Sequence, residues 1–321
     1  MSRVLMCFAS QAALGRQLAG LLRARYAQVA WRQFPDAESL VAIDEDVRDA
    51  DVAILASLHD PDRLALPLRF AAETARELGA RSIGLVAPYL GYLRQDFRFH
   101  PGEAVSAPLF ARFLEGSFDW IATVDPHLHR IPTLDQLFAI PAANIAAAPA
   151  IAAWIRANVP EAVLVGPDSE SAQWVSQVAR LAGVPWQVLE KQRRGDRDVE
   201  VSPLDAPALR GRTPVLLDDI VSTGHTMLVV LSHLRALGLP PATCVVTHAV
   251  FADDSFHKLH AAGAARVVSC DTIPHASNAI GVAPLLAKAI DPLFDGADTG
   301  PDSDEAVSAS EWFDGEEPTP E

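Results

Sequence analysis

Lysine is nearly missing from this chain of 321 residues: Lys191, Lys258 and Lys288 stand against 23 arginines. With a formal net charge of −15, the composition excludes a surface built for nucleic acid. Cysteine is as scarce. Cys7, Cys244 and Cys270 lie far apart inside apolar runs and without metal-ligand spacing. That excludes a disulfide framework or zinc cluster and predicts buried free thiols in a cytoplasmic protein. No run approaches the ~20 apolar residues that span a bilayer, so no membrane partner is expected. The opening Met-Ser-Arg-Val-Leu-Met-Cys-Phe-Ala is too short an apolar stretch for a signal peptide and reads as a first strand.

The charge is unevenly spread. From Asp295 onward there are ten carboxylates and no Lys or Arg, so the preceding part carries only −5. This segment, 294–321, is also rich in Gly, Pro and Ser and is expected to be a disordered acidic tail. Half of all residues are hydrophobic, enough for two cored domains of roughly 150 residues each.

Short apolar runs alternate with helix-period stretches, which argues an α/β class with two similar domains, each a mainly parallel sheet flanked by helices. Strands are expected over 3–9, 51–57, 82–89 and 120–124, then over 162–166, 186–190, 214–217, 243–250 and 266–270. The Ala/Pro-rich segment 140–149 marks the boundary, giving units 1–145 and 146–293, with the helix over 283–290 returning to the first.

The densest chemistry lies in Val215-Leu-Leu-Asp218-Asp219-Ile-Val-Ser222-Thr223-Gly224-His225-Thr226-Met227. An apolar strand delivers two carboxylates, followed by a loop of small hydroxyl residues around a glycine and then a helical stretch. Gly224 permits close approach of backbone to a ligand, and the N–H groups of a helix start point at an anion. Ser222, Thr223 and Thr226 add hydroxyl donors. The carboxylates cannot favour a phosphate and must face sugar hydroxyls or Mg²⁺. A ligand with a phosphate at one end and a diol nearby, a phosphorylated sugar, fits this layout. No lysine follows the glycine, which excludes an ATPase P-loop. The segment resembles the signature loop of the type I phosphoribosyltransferase fold.

Five further motifs fall near expected strand ends, where ligands of open α/β sheets bind. Phe34-Pro35-Asp36-Ala37-Glu38 offers an aromatic face with two acceptors. Arg94-Gln95-Asp96, after Pro88-Tyr89-Leu-Gly91-Tyr92, suits a polyphosphate and a base edge. Asp125, His127 and His129 share strand parity if the chain stays extended, and their types fit a divalent metal. Gly166-Pro167-Asp168-Ser169-Glu170-Ser171 opens another strand-to-helix turn. Lys191-Gln192-Arg193-Arg194 leaves a strand for a polar loop able to close over a charged transition state, and in a chain this poor in lysine that lysine is expected to do ammonium chemistry.

In this order the motifs resemble the ribose-phosphate pyrophosphokinase family from about residue 5 to 290, with Cys270-Asp271-Thr272-Ile273-Pro274 matching a late strand end. The resemblance implies an enzyme that moves the β,γ-diphosphoryl group of ATP to the C1 hydroxyl of ribose 5-phosphate. It implies that Phe34, Asp36, Glu38, Arg94, Gln95 and Asp96 bind ATP, the first three across a subunit interface of a homo-oligomer. Asp218, Asp219, Ser222, Thr223, Gly224 and Thr226 would bind ribose 5-phosphate, His127 and Asp168 would hold Mg²⁺, and Lys191 and Arg193 would be catalytic. Departures from the family pattern fall at Pro126 and His129, at Ser169–Ser171, at Gln192 with Gly195-Asp196-Arg197, and at His225, where glycine is common. Two rival readings are a salvage phosphoribosyltransferase and a non-catalytic, synthetase-like regulatory subunit.

Overall fold

The computed structural model describes residues 2–294 apart from 129, 190, 195–197 and 202–208. Phe294, expected to begin the acidic tail, instead ends a helix and is buried, because its ring packs on Trp120; residues 295–321 lie outside the described residues, as does His129.

The first sheet contains β1 (Ser2–Cys7), β2 (Arg25–Gln33), β3 (Ser39–Ile43), β4 (Ala50–Leu55), β5 (Ser82–Ala87), β6 (Trp120–Val124) and β7 (Ala142–Ile145), in the order β3-β2-β1-β4-β5-β6-β7. All neighbours pair in parallel except β2 with β3. The second sheet is built from β8 (Ala162–Gly166), β9 (Trp186–Val188), β12 (Thr213–Ile220), β13 (Thr243–His248), β14 (Arg266–Cys270) and β15 (Asn278–Ile280), ordered β15-β14-β13-β12-β8-β9 and parallel throughout. Between β9 and β12 a separate antiparallel ribbon pairs β10 (Lys191–Arg194) with β11 (Asp198–Val201). The sequence reading expects a strand exit and a loop there. It also misses β2 and β3, because Arg-Tyr-Ala-Gln-Val-Ala-Trp-Arg-Gln has a single buried residue, Val29, and so lacks the apolar run of a strand covered on both faces.

Helices cover the sheets because the parallel strands are apolar on both faces: every residue of β4, β6 and β8 is buried. On the outer face of the first sheet lie α2 (Pro61–Glu77) and α3 (Ser106–Glu115), enclosing Met6, Ile54, Leu68, Leu85 and Leu114. A second core cluster is shared by both halves. In it α1 (Ala12–Leu22), α4 (Ala148–Asn158) and α5 (Ala172–Ala182) place Leu18, Ile151, Ile155 and Val178 among Leu5 and Trp120 of one sheet and Leu164 and Leu217 of the other. Beyond the second sheet, α6 (His225–Ala236) and α7 (Ser255–Ala261) close a third cluster around Leu216, Met227, Leu231 and Leu259.

The last helix, α8 (Ala283–Phe294), packs on α1 and the first sheet. Phe294 meets Trp120 edge-to-face at 5.8 Å. The Trp120 ring lies where Gly84, its partner on β5, has no side chain; a Cβ there would stand 1.9 Å from Trp120 Cε2. Among the described residues no helix is long and apolar enough to cross a membrane.

Candidate active site

The carboxyl ends of the two sheets meet, and the chain crosses between them through hydrogen bonds. Ser57, just beyond β4, donates through Oγ to the carbonyl of Thr272, just beyond β14, at 2.6 Å. His248, the last residue of β13, places Nε2 3.2 Å from the carbonyl of Asp125, beyond β6, and Nδ1 2.9 Å from the Thr272 hydroxyl. The ring of Tyr89, beyond β5, packs edge-on against His248 at 4.9 Å. Burial pushes the His248 pKa down to about 4 and keeps the ring neutral, so Nε2–H donates to the Asp125 carbonyl.

β12 brings the acidic pair to this junction. Asp218 Oδ1 accepts the Asp219 N–H at 3.0 Å, and Asp219 Oδ1 accepts the Ile220 N–H at 2.8 Å. The other oxygen of Asp219 meets His127 Nδ1 at 2.5 Å. This bond ties the first sheet's His127 to the second sheet's Asp219. It also splits the pair electrostatically. Burial would raise both carboxyls, but the hydrogen bond and charge of His127 hold Asp219 below the usual range. Asp218 goes up to about 8, through burial first and then the charges of Asp219 and Asp168.

After β12 the chain turns through Gly224, whose φ of +73° is the left-handed conformation that glycine adopts without strain. Gly224 offers no side-chain cap and no acidic residue stands in the first turn of α6, so the helix start is suited to an anion. Ser222 and Thr226 are half-buried and Thr223 is exposed. Two bonds from below set the loop's shape: Phe251 N–H to the Val221 carbonyl at 2.8 Å and Ala252 N–H to that of Ser222 at 3.0 Å. His225 is the first helical residue, exposed and outside the left-handed region. Only Gly224 needs the special backbone, so a side chain at 225 is tolerated.

The expected alternation does not hold between Asp125 and His127, and His129 lies outside the described residues. The strand ends at Val124 and Asp125 has a φ of +35°, which breaks the extended run. The Asp125 carboxylate turns inward to accept from Ala147 N–H at 3.2 Å and Thr247 Oγ1 at 3.4 Å, and burial raises its pKa to about 6. It supports the junction while His127 reaches the acidic pair.

Asp168 caps the short turn Ser169–Ser171, accepting from Ser171 N–H at 3.3 Å, while Ser171 Oγ donates to the Asp168 carbonyl at 2.6 Å. Any side chain on Gly166 would collide with Ser171 Oγ and Val188, each 2.6 Å from an added Cβ. The Ser-Glu-Ser departure thus builds its own closed turn. Lys191 and Arg193 fall on β10, opposite Val201 and Val199 of β11.

On the first sheet, Arg94 is exposed and Gln95 accepts through Oε1 from Ser106 Oγ at 2.8 Å, so its amide nitrogen is left to act as a donor. Asp96 is bound by Arg130. Phe34, Asp36 and Glu38 form the β2–β3 hairpin, closed by Phe34 N–H to the Glu38 carbonyl at 2.7 Å, with Arg32 over the Phe34 ring at 4.7 Å. This hairpin is not brought to the junction. Four strand steps separate β2 from β6, about 19 Å at ~4.8 Å per step. Sequence reasoning missed Ser57, Arg130 and His248, and it quoted Tyr89 and Thr272 as motif members without giving either a role at the junction. Only His248, a polar residue ending an apolar run, carries a local signal.

Residues 3–117 match the family model described as the N-terminal domain of ribose phosphate pyrophosphokinase, and 133–285 match that of the phosphoribosyl transferase domain. The ribose-phosphate pyrophosphokinase of Methanopyrus kandleri is 35% identical over 283 residues, covering 87% of this chain and 96% of that one. The chain belongs to the ribose-phosphate pyrophosphokinase family. The enzyme of that name from Halobacterium salinarum is 34% identical over 289 residues, covering 89% and 100%. Phosphoribosylpyrophosphate synthetase from Mycobacterium smegmatis, a solved structure, has a TM-score of 0.79 at 26% identity and covers 92% of this chain and 100% of that one. The pyrophosphokinase family thus accounts for both sheets, not only for the Asp218–Thr226 segment.

Proposed function

We propose that this chain is a ribose-phosphate diphosphokinase, which transfers the β,γ-diphosphoryl group of ATP to the C1 hydroxyl of ribose 5-phosphate and releases AMP. The observation that carries the reading is the His127–Asp219 hydrogen bond, which sets a sugar-phosphate cradle against the strand ends that bear Arg94 and Gln95. Residues 146–293 serve as the ribose 5-phosphate side and 1–145 as the ATP side, in a cytoplasmic enzyme.

In this reading the helix start at Gly224, with Ser222, Thr223 and Thr226, holds the 5-phosphate, while Asp218 and Asp219 accept from the ribose hydroxyls. Arg94 and Gln95 bind the nucleotide. Phe34, Asp36 and Glu38 hold adenine from a second copy of the chain, because within one chain the hairpin stands too far from the junction. The C1 hydroxyl attacks the β-phosphorus in line and loses its proton to solvent, the bond from that phosphorus to the α,β-bridging oxygen breaks so that AMP leaves with the oxygen, and Lys191 and Arg193 meet the charge on the bridging oxygen and the transferred group.

The donor set fits Mg²⁺. The carboxyl groups of Asp125, Asp218 and Asp219 crowd the junction, and besides burial it is the charges of Asp219 and Asp168 that lift Asp218, a repulsion a cation would relieve. No group of three His, Cys, Asp or Glu among the described residues is gathered to hold a metal by itself. Such a site suits a cation that keeps water and phosphate ligands and takes one or two from protein. His127 and Asp168 would hold it, and when bound it would neutralise phosphate charge.

A salvage phosphoribosyltransferase leaves Arg94–Asp96 and Lys191–Arg193 without a role, and a non-catalytic subunit has no need to keep both. Phosphorus NMR of the protein with ATP, ribose 5-phosphate and Mg²⁺ tests the reading: AMP and a new pyrophosphate ester are expected, and neither forming would refute it.

The raised carboxyl of Asp218 adds a titration test. Ribose hydroxyls donate to the ionised form and lower its pKa, so binding at pH 7 should expel up to about one proton from a group that titrates near 8 when unliganded. Calorimetry of ribose 5-phosphate binding in buffers of different protonation enthalpy reads this directly. Affinity should rise with pH toward 8. Zero release at pH 7 would remove Asp218 from the ligand contacts.

A further inference from the structure

Asp96 belongs to the Arg94-Gln95-Asp96 run, yet its side chain is only 1% exposed and one residue occupies both of its oxygens. Oδ2 accepts the backbone N–H of Arg130 at 2.8 Å and Oδ1 accepts its guanidinium Nη1 at 3.0 Å. The guanidinium also lies over two rings, 5.5 Å from the centroid of Phe97 and 5.4 Å from that of Phe99, which meet edge-to-face at 5.8 Å. Glu103 holds the far side of this loop by accepting the N–H groups of Phe99 and His100 at 3.1 and 3.0 Å. Burial would raise the Asp96 carboxyl, but the bonds from Arg130 hold it below the usual range.

A carboxylate bound in this way makes a poor nucleotide contact. Reaching a ligand would cost it two charge-assisted bonds and strip Arg130 of its partner. What the pair does instead is join two loops. Residues 94–99 carry Arg94 and Gln95, and residues 126–130 carry His127, which bonds Asp219 across the junction. We infer that Asp96 and Arg130 are positioning residues that lock the nucleotide-side loop to the His127 loop and so fix the spacing between the ATP side and the acidic pair. Neither touches a reacting atom. The inference rests on the reaction proposed above.

A double-mutant cycle tests it, using Asp96→Asn, Arg130→Met and the double variant, with turnover at 25 °C, ATP affinity by calorimetry and melting temperature measured on each. Loss of the lock lets His127 drift, so each single variant should lose about 10–100-fold in kcat, the scale of an ångström-sized misplacement. The double variant should lose no more than either single, because both break the same contact. ATP affinity should stay within about twofold of wild type, since these interactions serve the transition state rather than ground-state binding.

If Asp96→Asn weakens ATP binding and Arg130→Met does not, Asp96 contacts the nucleotide and the inference is wrong. A drop in melting temperature with kcat unchanged would also overturn it, leaving the pair a mere stabiliser. Should Arg130→Met fail to fold, Arg130→Lys decides: it can keep one bond to Asp96 but not the planar stacking, and should have intermediate kcat. A wild type without turnover would instead defeat the proposed reaction, a result visible in the same assay.

Discussion

Replacing Lys191 with alanine should lower turnover by on the order of 10³ and leave ribose 5-phosphate affinity within about twofold, the behaviour of a cation needed only where charge develops. A factor of 10³ corresponds to about 4 kcal/mol of transition-state stabilisation. Lys191 is the one lysine of three that falls inside a motif, in a chain that otherwise uses arginine. Ammonium and guanidinium differ here: a compact point charge can follow an oxygen as its charge grows, whereas a planar fork binds phosphate in one geometry. Arg193→Ala should act in the same sense and by less. Single-turnover AMP formation gives the first number and calorimetry the second. Near-normal turnover in Lys191→Ala would take the β10–β11 ribbon out of the chemistry.

The second large effect belongs to Asp219. Its two oxygens serve the Ile220 N–H and His127 Nδ1, and its charge raises Asp218. Asp219→Ala removes a charge-assisted bond to His127 and, in the proposed complex, one to a ribose hydroxyl. At about 1.5–3 kcal/mol each, the two together should cost kcat/KM for ribose 5-phosphate about 10³. The same change withdraws the repulsion that helps lift Asp218, whose carboxyl should then titrate lower. Proton release on ligand binding at pH 7 should therefore shrink. Loss of activity with unchanged proton release would mean that Asp219 works through His127 alone, and unchanged kcat/KM would mean the acidic pair lies outside the sugar site.

How much of this was legible depends on how local each signal is. The strand-to-helix turn at Asp218–Thr226 could be read from sequence because a strand, two carboxylates, a left-handed glycine and a helix start all fall within thirteen consecutive residues. The parallel sheets were legible for a related reason, since strands buried on both faces must be continuous apolar runs. The antiparallel edge was not, because β2 and β3 are half-exposed and their polar residues mimic a loop. Asp125 was misjudged on one torsion angle: the assumption of an extended chain fails at φ +35°, and a residue expected to point with His127 turns into the protein instead. Asp96 and Arg130 are 34 residues apart, Asp125 and His248 are 123 apart, and nothing in either neighbourhood announces the partner. His225 departs from a family pattern in which glycine is common, and only the backbone torsions, left-handed at Gly224 and not at 225, show why a side chain is tolerated there.

The most direct test follows the oxygen that attacks. Ribose 5-phosphate carrying ¹⁸O in its C1 hydroxyl, incubated with ATP, Mg²⁺ and the enzyme, should give product in which the label bridges C1 and the new β-phosphorus, seen as an isotope shift in the phosphorus spectrum, with unlabelled AMP. Label appearing in AMP, or an unlabelled bridge, would contradict attack by that hydroxyl and with it the assignment of Asp218–Thr226 as the acceptor's seat.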